Sequence, residues 1–179
     1  MEILQPGTLR LEHFSAEPIG RLDPLWDRYS RYGGAKPPGL WVSVAGEYSW
    51  DQWCHAEEFR LERLLVRIPV ELNPGANILH VEGEASFAKL VTIYGYNPYP
   101  TLGGYRDRQP DWDKMKDDYD GIVISPYLWS QRLDAMWYYG WDCASGCIWN
   151  LKSISLGEPV IDKTRCYKSL DNESELSHI

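Results

Sequence analysis

No run of about 18 apolar residues occurs in the sequence, which excludes a membrane-spanning helix. Met1 to Ser15 has no apolar stretch behind a basic start, so no secretory leader is expected. Cysteine is scarce: Cys54, Cys143, Cys147 and Cys166 stand at spacings that spell no disulfide framework. Without an export signal they are expected as free thiols, in a soluble protein of the reducing cytoplasm. Basic charge is also short, with 18 Lys and Arg against 26 Asp and Glu and a formal net charge of −8. Bulk nucleic-acid binding needs a basic footprint, which this composition does not supply. Neither Gly-x-Gly-x-x-Gly after a strand nor Gly-x-x-x-x-Gly-Lys-Ser/Thr is present, so neither glycine-rich phosphate cradle is supported. Gly-x-Ser-x-Gly is missing as well, which leaves no hydrolase nucleophile elbow.

What is abundant is the aromatic ring with a polar tip: nine Trp and twelve Tyr against three Phe. Buried rings of this kind need a partner for their N–H or O–H, so they wall a site or form a sticky face. The 179 residues, 44% apolar and 25% charged, fit one globular domain. A chain of this length hides roughly 70% of its unfolded surface. One domain is expected over residues 1–170, with a polar tail at 171–179.

Period-two alternation predicts a strand over Arg10–Ser15, and β-branched composition predicts another over Leu40–Val44. Ser49 and Gln52 fit a capping box that opens a helix over about 50–62. Leu64–Leu72 reads as a strand placed at an edge or bulge by Pro69, and Asn73-Pro74-Gly75 as a turn. Asn77–Val81 is then its hairpin partner or its continuation. Helical spacing follows over Ser86–Tyr94, and a short polar helix over Asp111–Tyr119. The intervening Gly95–Asp111 is Tyr-rich and broken by Pro and Gly, a long loop of the kind that carries function. Gly121–Ser125 is a fully buried strand, 128–136 a helical turn, and Trp141–Asn150 a second buried strand. These runs do not alternate as βαβ, so the expected class is α+β with a mixed, mostly antiparallel sheet.

Few residues stand out for chemistry. His13, at a strand end, either bonds a neighbouring backbone group or positions a polar ligand. His55 and Cys54 are adjacent on a helix and diverge, and the lone His80 completes no zinc set, so no metal is expected. Cys143 and Cys147 share one face of a strand and are expected as core thiols.

Three clusters follow one another along the chain: His13-Phe14-Ser15, then Lys36-Pro37-Pro38-Gly39-Leu40-Trp41-Val42-Ser43, then Asp120-Gly121-Ile122 with Trp149, Asn150 and Ile154. This succession, over roughly residues 11–154, resembles the ADP-ribosyltransferase-like superfamily. The resemblance implies a split sheet that grips NAD as substrate in a cleft. His13, Phe14, Ser15, Trp41 and Ser43 would hold the dinucleotide, with backbone amides of the His13 strand reading the carboxamide. Trp41, Tyr138, Tyr139 and Trp141 would wall the nicotinamide slot unless they are ordinary core, and Lys36 or Arg10 would meet the pyrophosphate. The family's catalytic Glu falls on Ser145 here, with Asp142 the nearest carboxylate; a bulge at Ser145-Gly146, or a later strand start, would let Asp142 serve.

A carboxylate there would stabilise the oxocarbenium-like ribosyl cation formed as nicotinamide departs. Catalytic roles thus fall on Asp142, His13 and Ser145, in a mono-ADP-ribosyltransferase with a protein acceptor or in an NAD glycohydrolase. Acceptor choice would lie with Gly95–Asp111. Ser145 in place of Glu equally suits a non-catalytic module that binds NAD, ADP-ribose or a protein. The aromatic excess alone would suit a carbohydrate-binding face.

Overall fold

The computed structural model describes residues 1–22, 36–46, 48–98 and 104–162. Gly33-Gly34, Pro100, Gly103, Cys166 and the expected tail lie outside the described residues. Strands are β1 (Glu2–Ile3), β2 (Leu11–Ser15), β3 (Leu40–Val44), β4 (Val66–Leu72), β5 (Ile78–Val81), β6 (Gly95–Tyr96), β7 (Gln109–Pro110), β8 (Gly121–Ile124), β9 (Ser145–Ile148), β10 (Ile154–Leu156) and β11 (Val160–Ile161). Helices are α1 (Trp50–Ala56), α2 (Glu84–Tyr94), α3 (Trp112–Asp118) and α4 (Gln131–Asp134). The domain is α+β, with a mixed, mostly antiparallel sheet. Its order is β1-β5-β8-β9-β3-β2-β4-β10, with β11 also on β4. Among the described residues only β5 and β8 run parallel, which requires the crossover through α2 and α3. Among the described residues no helix is long and apolar enough to cross a membrane.

Among the interior seams of the sheet the one between β2 and β3 is the shortest. β2 pairs with β4 along its whole length, but with β3 only at Leu11↔Val44 and Glu12↔Ser43. Beyond that seam the two strands fork. Hydrogen bonding therefore runs unbroken through the sheet, in place of the separation that the resemblance implies, and opens locally at this fork.

β8 and β9 are buried at every position, as their apolar composition requires. Gly146 permits their approach: a Cβ there would sit 2.5 Å from the Ile122 carbonyl oxygen. β4 and β5 are joined by the expected turn but are not partners. β5 is buried throughout and takes β1 and β8 as neighbours instead. Pro69 acts on the outer strand. Its carbonyl accepts from Gly157 N–H, so its missing N–H faces the same side, where β10 ends and β11 has not begun.

The two late motif pieces bind each other. The Asp120 carboxylate accepts from Asn77 N–H at 2.8 Å and from the Asn150 side chain at 2.6 Å. Trp149 Nε1 donates to the Tyr119 carbonyl at 2.6 Å. α3 is less polar than expected, because Trp112 and Met115 are buried. Trp112 belongs to an aromatic tier in which Phe87 stacks on Trp137 with centroids 5.2 Å apart.

α1 opens as expected, with Gln52 Oε1 accepting from Ser49 N–H at 3.3 Å. It stops six residues early. Glu58 is left-handed at φ 50°, and Phe59 N–H closes back onto the Cys54 carbonyl at 2.9 Å. This is a Schellman ending with Glu in the position that glycine favours, sealed by Phe59 against Trp53 at 5.3 Å. A left-handed non-glycine residue costs about 1–2 kcal/mol, partly offset by glycine's greater chain entropy. Glu58→Gly should therefore raise stability by about 0.5–1 kcal/mol in urea melts. A loss of stability would refute the capping assignment.

Candidate functional site

The fork opens into a hollow of about 480 Å³. On its sheet wall, the registers Glu12↔Ser43 and Ser43↔Ser145 place three polar side chains in one row on one face. Trp41 lies on that face two residues along β3, while Leu40, Val42 and Val44 turn to the core. His13, Phe14, Trp41, Ser43, Trp141, Asp142 and Ser145 all line the hollow, so the first two motif clusters meet the segment around Asp142 there, whereas Asp120, Gly121, Ile122, Trp149, Asn150 and Ile154 of the third are absent from the lining.

His13 spans the fork. Its Nδ1 lies 2.8 Å from the Trp41 carbonyl, and since a carbonyl only accepts, Nδ1 carries the proton. Burial lowers the imidazole pKa, partly offset by that bond, so the ring is neutral at pH 7. The backbone next to it is directed as well. The Arg10 carbonyl accepts from Ala45 N–H, so by alternation Glu12 and Phe14 turn their peptide groups toward β3. Glu12 meets the last β3 partner, and Phe14 therefore presents its N–H and C=O to the open fork.

The two serines have structural duties. Ser43 Oγ accepts from Trp50 N–H at 2.8 Å and so anchors α1. Ser145 opens β9, and its hydroxyl donates to the Cys143 carbonyl at 3.0 Å. No bulge occurs at Gly146, because the register against β3 and β8 is regular from residue 145 to 148. The strand instead begins later than expected, and Asp142 precedes it, free of strand alternation. Asp142 is half-buried. Burial raises its carboxyl pKa, while Lys36 and Arg132 pull it down. Lys36 also lies over the Trp41 ring, 5.1 Å from the centroid.

Four expected residues do not join the site as assigned. Ser15 donates to the Glu17 carbonyl at 2.6 Å and is absent from the lining, because β2 has by then passed the fork. Tyr138 is fully buried under α2, and its hydroxyl accepts from Leu128 N–H at 3.1 Å, so it belongs to the core. Tyr139 is half-exposed beneath the Arg132 guanidinium. Arg10 is outside the lining too, bonded to Glu12 at 3.3 Å. Cys143 precedes β9 and so does not share a strand face with Cys147. Cys54, Cys143 and Cys147 are free and buried, and burial pushes the Cys143 thiol up to about 12. Among the described residues no group of three or more His, Cys, Asp or Glu is placed to hold a metal.

Sequence reasoning missed Glu12, Trp50, Phe59, Arg60 and Arg63, all of which line the hollow. Glu12 is a polar position in the alternating pattern of Arg10–Ser15. It is in fact buried, with Arg67 at 3.0 Å as its closest counter-ion. The available signal was basic: Arg10 two residues before Glu12 on its own strand, and Arg67 diagonally across on β4, opposite Phe14. The other four come from α1 and the segment after it, which the sequence presents only as one helix running to about residue 62.

No family model matches the chain, and no curated protein or solved structure is similar to it.

Asp142 also makes a stability statement. A carboxyl whose folded pKa is raised favours the native state while protonated, and that advantage is lost as pH rises through the raised pKa. Asp142→Asn should therefore stabilise the protein at pH 7.5, with the gain shrinking toward the carboxylate range near pH 4. Urea melts at the two pH values measure this. An equal loss at both would make Asp142 a structural residue.

Proposed function

We propose that the hollow is an NAD cleft and that the protein is a mono-ADP-ribosyltransferase or NAD glycohydrolase. The observation that carries this is the meeting of His13, Trp41, Ser43 and Asp142 around one fork, although they lie up to about 130 residues apart in the chain. Phe14's peptide group, open to the fork, offers one donor and one acceptor to a carboxamide, the complement that nicotinamide presents. The neutral His13 ring, held by Trp41, supports a ligand hydroxyl or amide rather than an anion. Trp41 and Trp141, in edge contact at 4.8 Å, supply an apolar slot.

In the reaction the bond between the nicotinamide nitrogen and the ribose carbon breaks, and its electron pair leaves with the ring nitrogen. A nucleophile on a protein or water forms the new bond to that carbon and releases its proton. Asp142 supplies negative charge as the ribosyl cation develops; deprotonating it in a half-buried position costs stability but leaves a poorly solvated charge, which acts strongly at short range. Glu12 is the less suitable carboxylate, because Arg67 and Arg10 already balance its charge. Purified protein with NAD and labelled lysate should release nicotinamide and transfer label. Asp142→Asn should lower that rate on the order of 10²–10³-fold. No NAD loss, with no response to Asp142→Asn or His13→Ala, would refute the enzyme.

A non-catalytic binder of NAD or ADP-ribose is favoured by one specific observation. Ser145 stands where the superfamily carries Glu, and its hydroxyl is committed to Cys143. Such a protein would gain about 2.7 kcal/mol of stability at a ligand concentration of 100 Kd, without turnover.

A further inference from the structure

The hollow's outer wall is built differently from its sheet wall. It comes from α1, the turn Leu61–Leu64 and the connection between them, which contribute Trp50, Arg63, and Phe59 with Arg60, respectively. Trp50 stacks on Trp53 at 5.1 Å and meets Phe59 edge-on at 6.1 Å, so the aromatic platform is rigid. The Arg60 guanidinium lies over the Phe59 ring at 5.3 Å, which limits its freedom. Arg60 is also left-handed at φ 46°, a conformation unfavourable for a long side chain. Neither Arg60 nor Arg63 forms an ion pair among the described residues. The cations that act on Asp142 are Lys36 and Arg132, so these two arginines are not its counter-ions. With Glu12 balanced from outside, the lining carries an excess of cations on a chain of net charge −8.

We infer that Arg60 and Arg63 form a phosphate subsite at the mouth of the hollow, for a nucleoside diphosphate group whose base lies against Trp50 and Phe59. The inference rests on the NAD-cleft proposal and adds which wall takes the diphosphate. Guanidinium groups match phosphate geometry through paired N–H donors, and aromatic rings accept any base face. The Lys36 side of the hollow, beside Trp41 and Gly140, is left to the opposite end of the ligand.

Titration calorimetry on the full chain with ADP, adenosine, inorganic pyrophosphate, nicotinamide and NAD tests this. ADP should bind at least about tenfold more tightly than adenosine and should weaken as salt rises. Arg60→Gln with Arg63→Gln should lower ADP and NAD affinity at least about tenfold and leave nicotinamide within about twofold. Both side chains are exposed, so the variant's melting curve should match the parent; if it does not, the ADP-to-adenosine ratio of the parent decides. ADP binding no tighter than adenosine, or an unaffected double variant, overturns the subsite even where NAD still binds and is cleaved. Arginine-dependent ADP binding without any binding of nicotinamide or NAD supports the subsite and removes the NAD proposal.

Discussion

Two backbone pairs between β2 and β3 hold the halves of this sheet together, Leu11↔Val44 and Glu12↔Ser43. Everything of interest lies at the point where that ladder stops. A ladder continued to Phe14 and Trp41 would have closed the fork and consumed the peptide group of Phe14. Instead the side chain of His13 reaches across and bonds the Trp41 carbonyl, which satisfies a backbone acceptor and keeps the strands apart. An unpaired sheet edge is ordinarily a liability; here the fork confines it to the inside of a hollow. Ser43 adds a second duty at the same place, fixing the seam by its backbone and α1 by its hydroxyl.

The charged groups around the fork divide by role. Glu12 is buried but compensated, so its charge is spent on joining β2 to β4 through Arg67. Asp142 is half-buried and undercompensated, which makes it an expensive residue to keep ionised and an effective one near a developing cation. The difference follows from position: Glu12 sits within a ladder flanked by arginines, whereas Asp142 stands on the irregular segment before β9.

Much of the frame was legible because its signals are local. Leu40–Val44, Gly121–Ile124 and the turn at Asn73-Pro74-Gly75 announce themselves through β-branching, glycine and proline, and each lies where expected. The meeting of His13, Ser43 and Asp142 was approached through motif order alone. Partnership was harder. Nothing within Leu64–Leu72 and Asn77–Val81 says that the strands on either side of a tight turn refuse each other, since β5 is claimed by β1 and β8 from far along the chain. Tyr138 and Trp141 are both fully buried in the core, yet only Trp141 also borders the hollow, because the turn at Tyr138–Gly140 points them differently. β10 and β11 escaped notice because three- and two-residue strands carry no periodicity, and their break follows from Pro69 on a neighbour.

The Trp41 and Trp141 indoles touch at 4.8 Å in the wall of the hollow, and Trp141 lies 6.0 Å from Trp137 and 6.4 Å from Trp112. Excitation absorbed anywhere in this connected set can migrate among the rings before it is emitted. The pair at the wall is the member that a guest would disturb. The molecule thus carries a built-in optical gauge, in which light from the interior reports what rests against its surface.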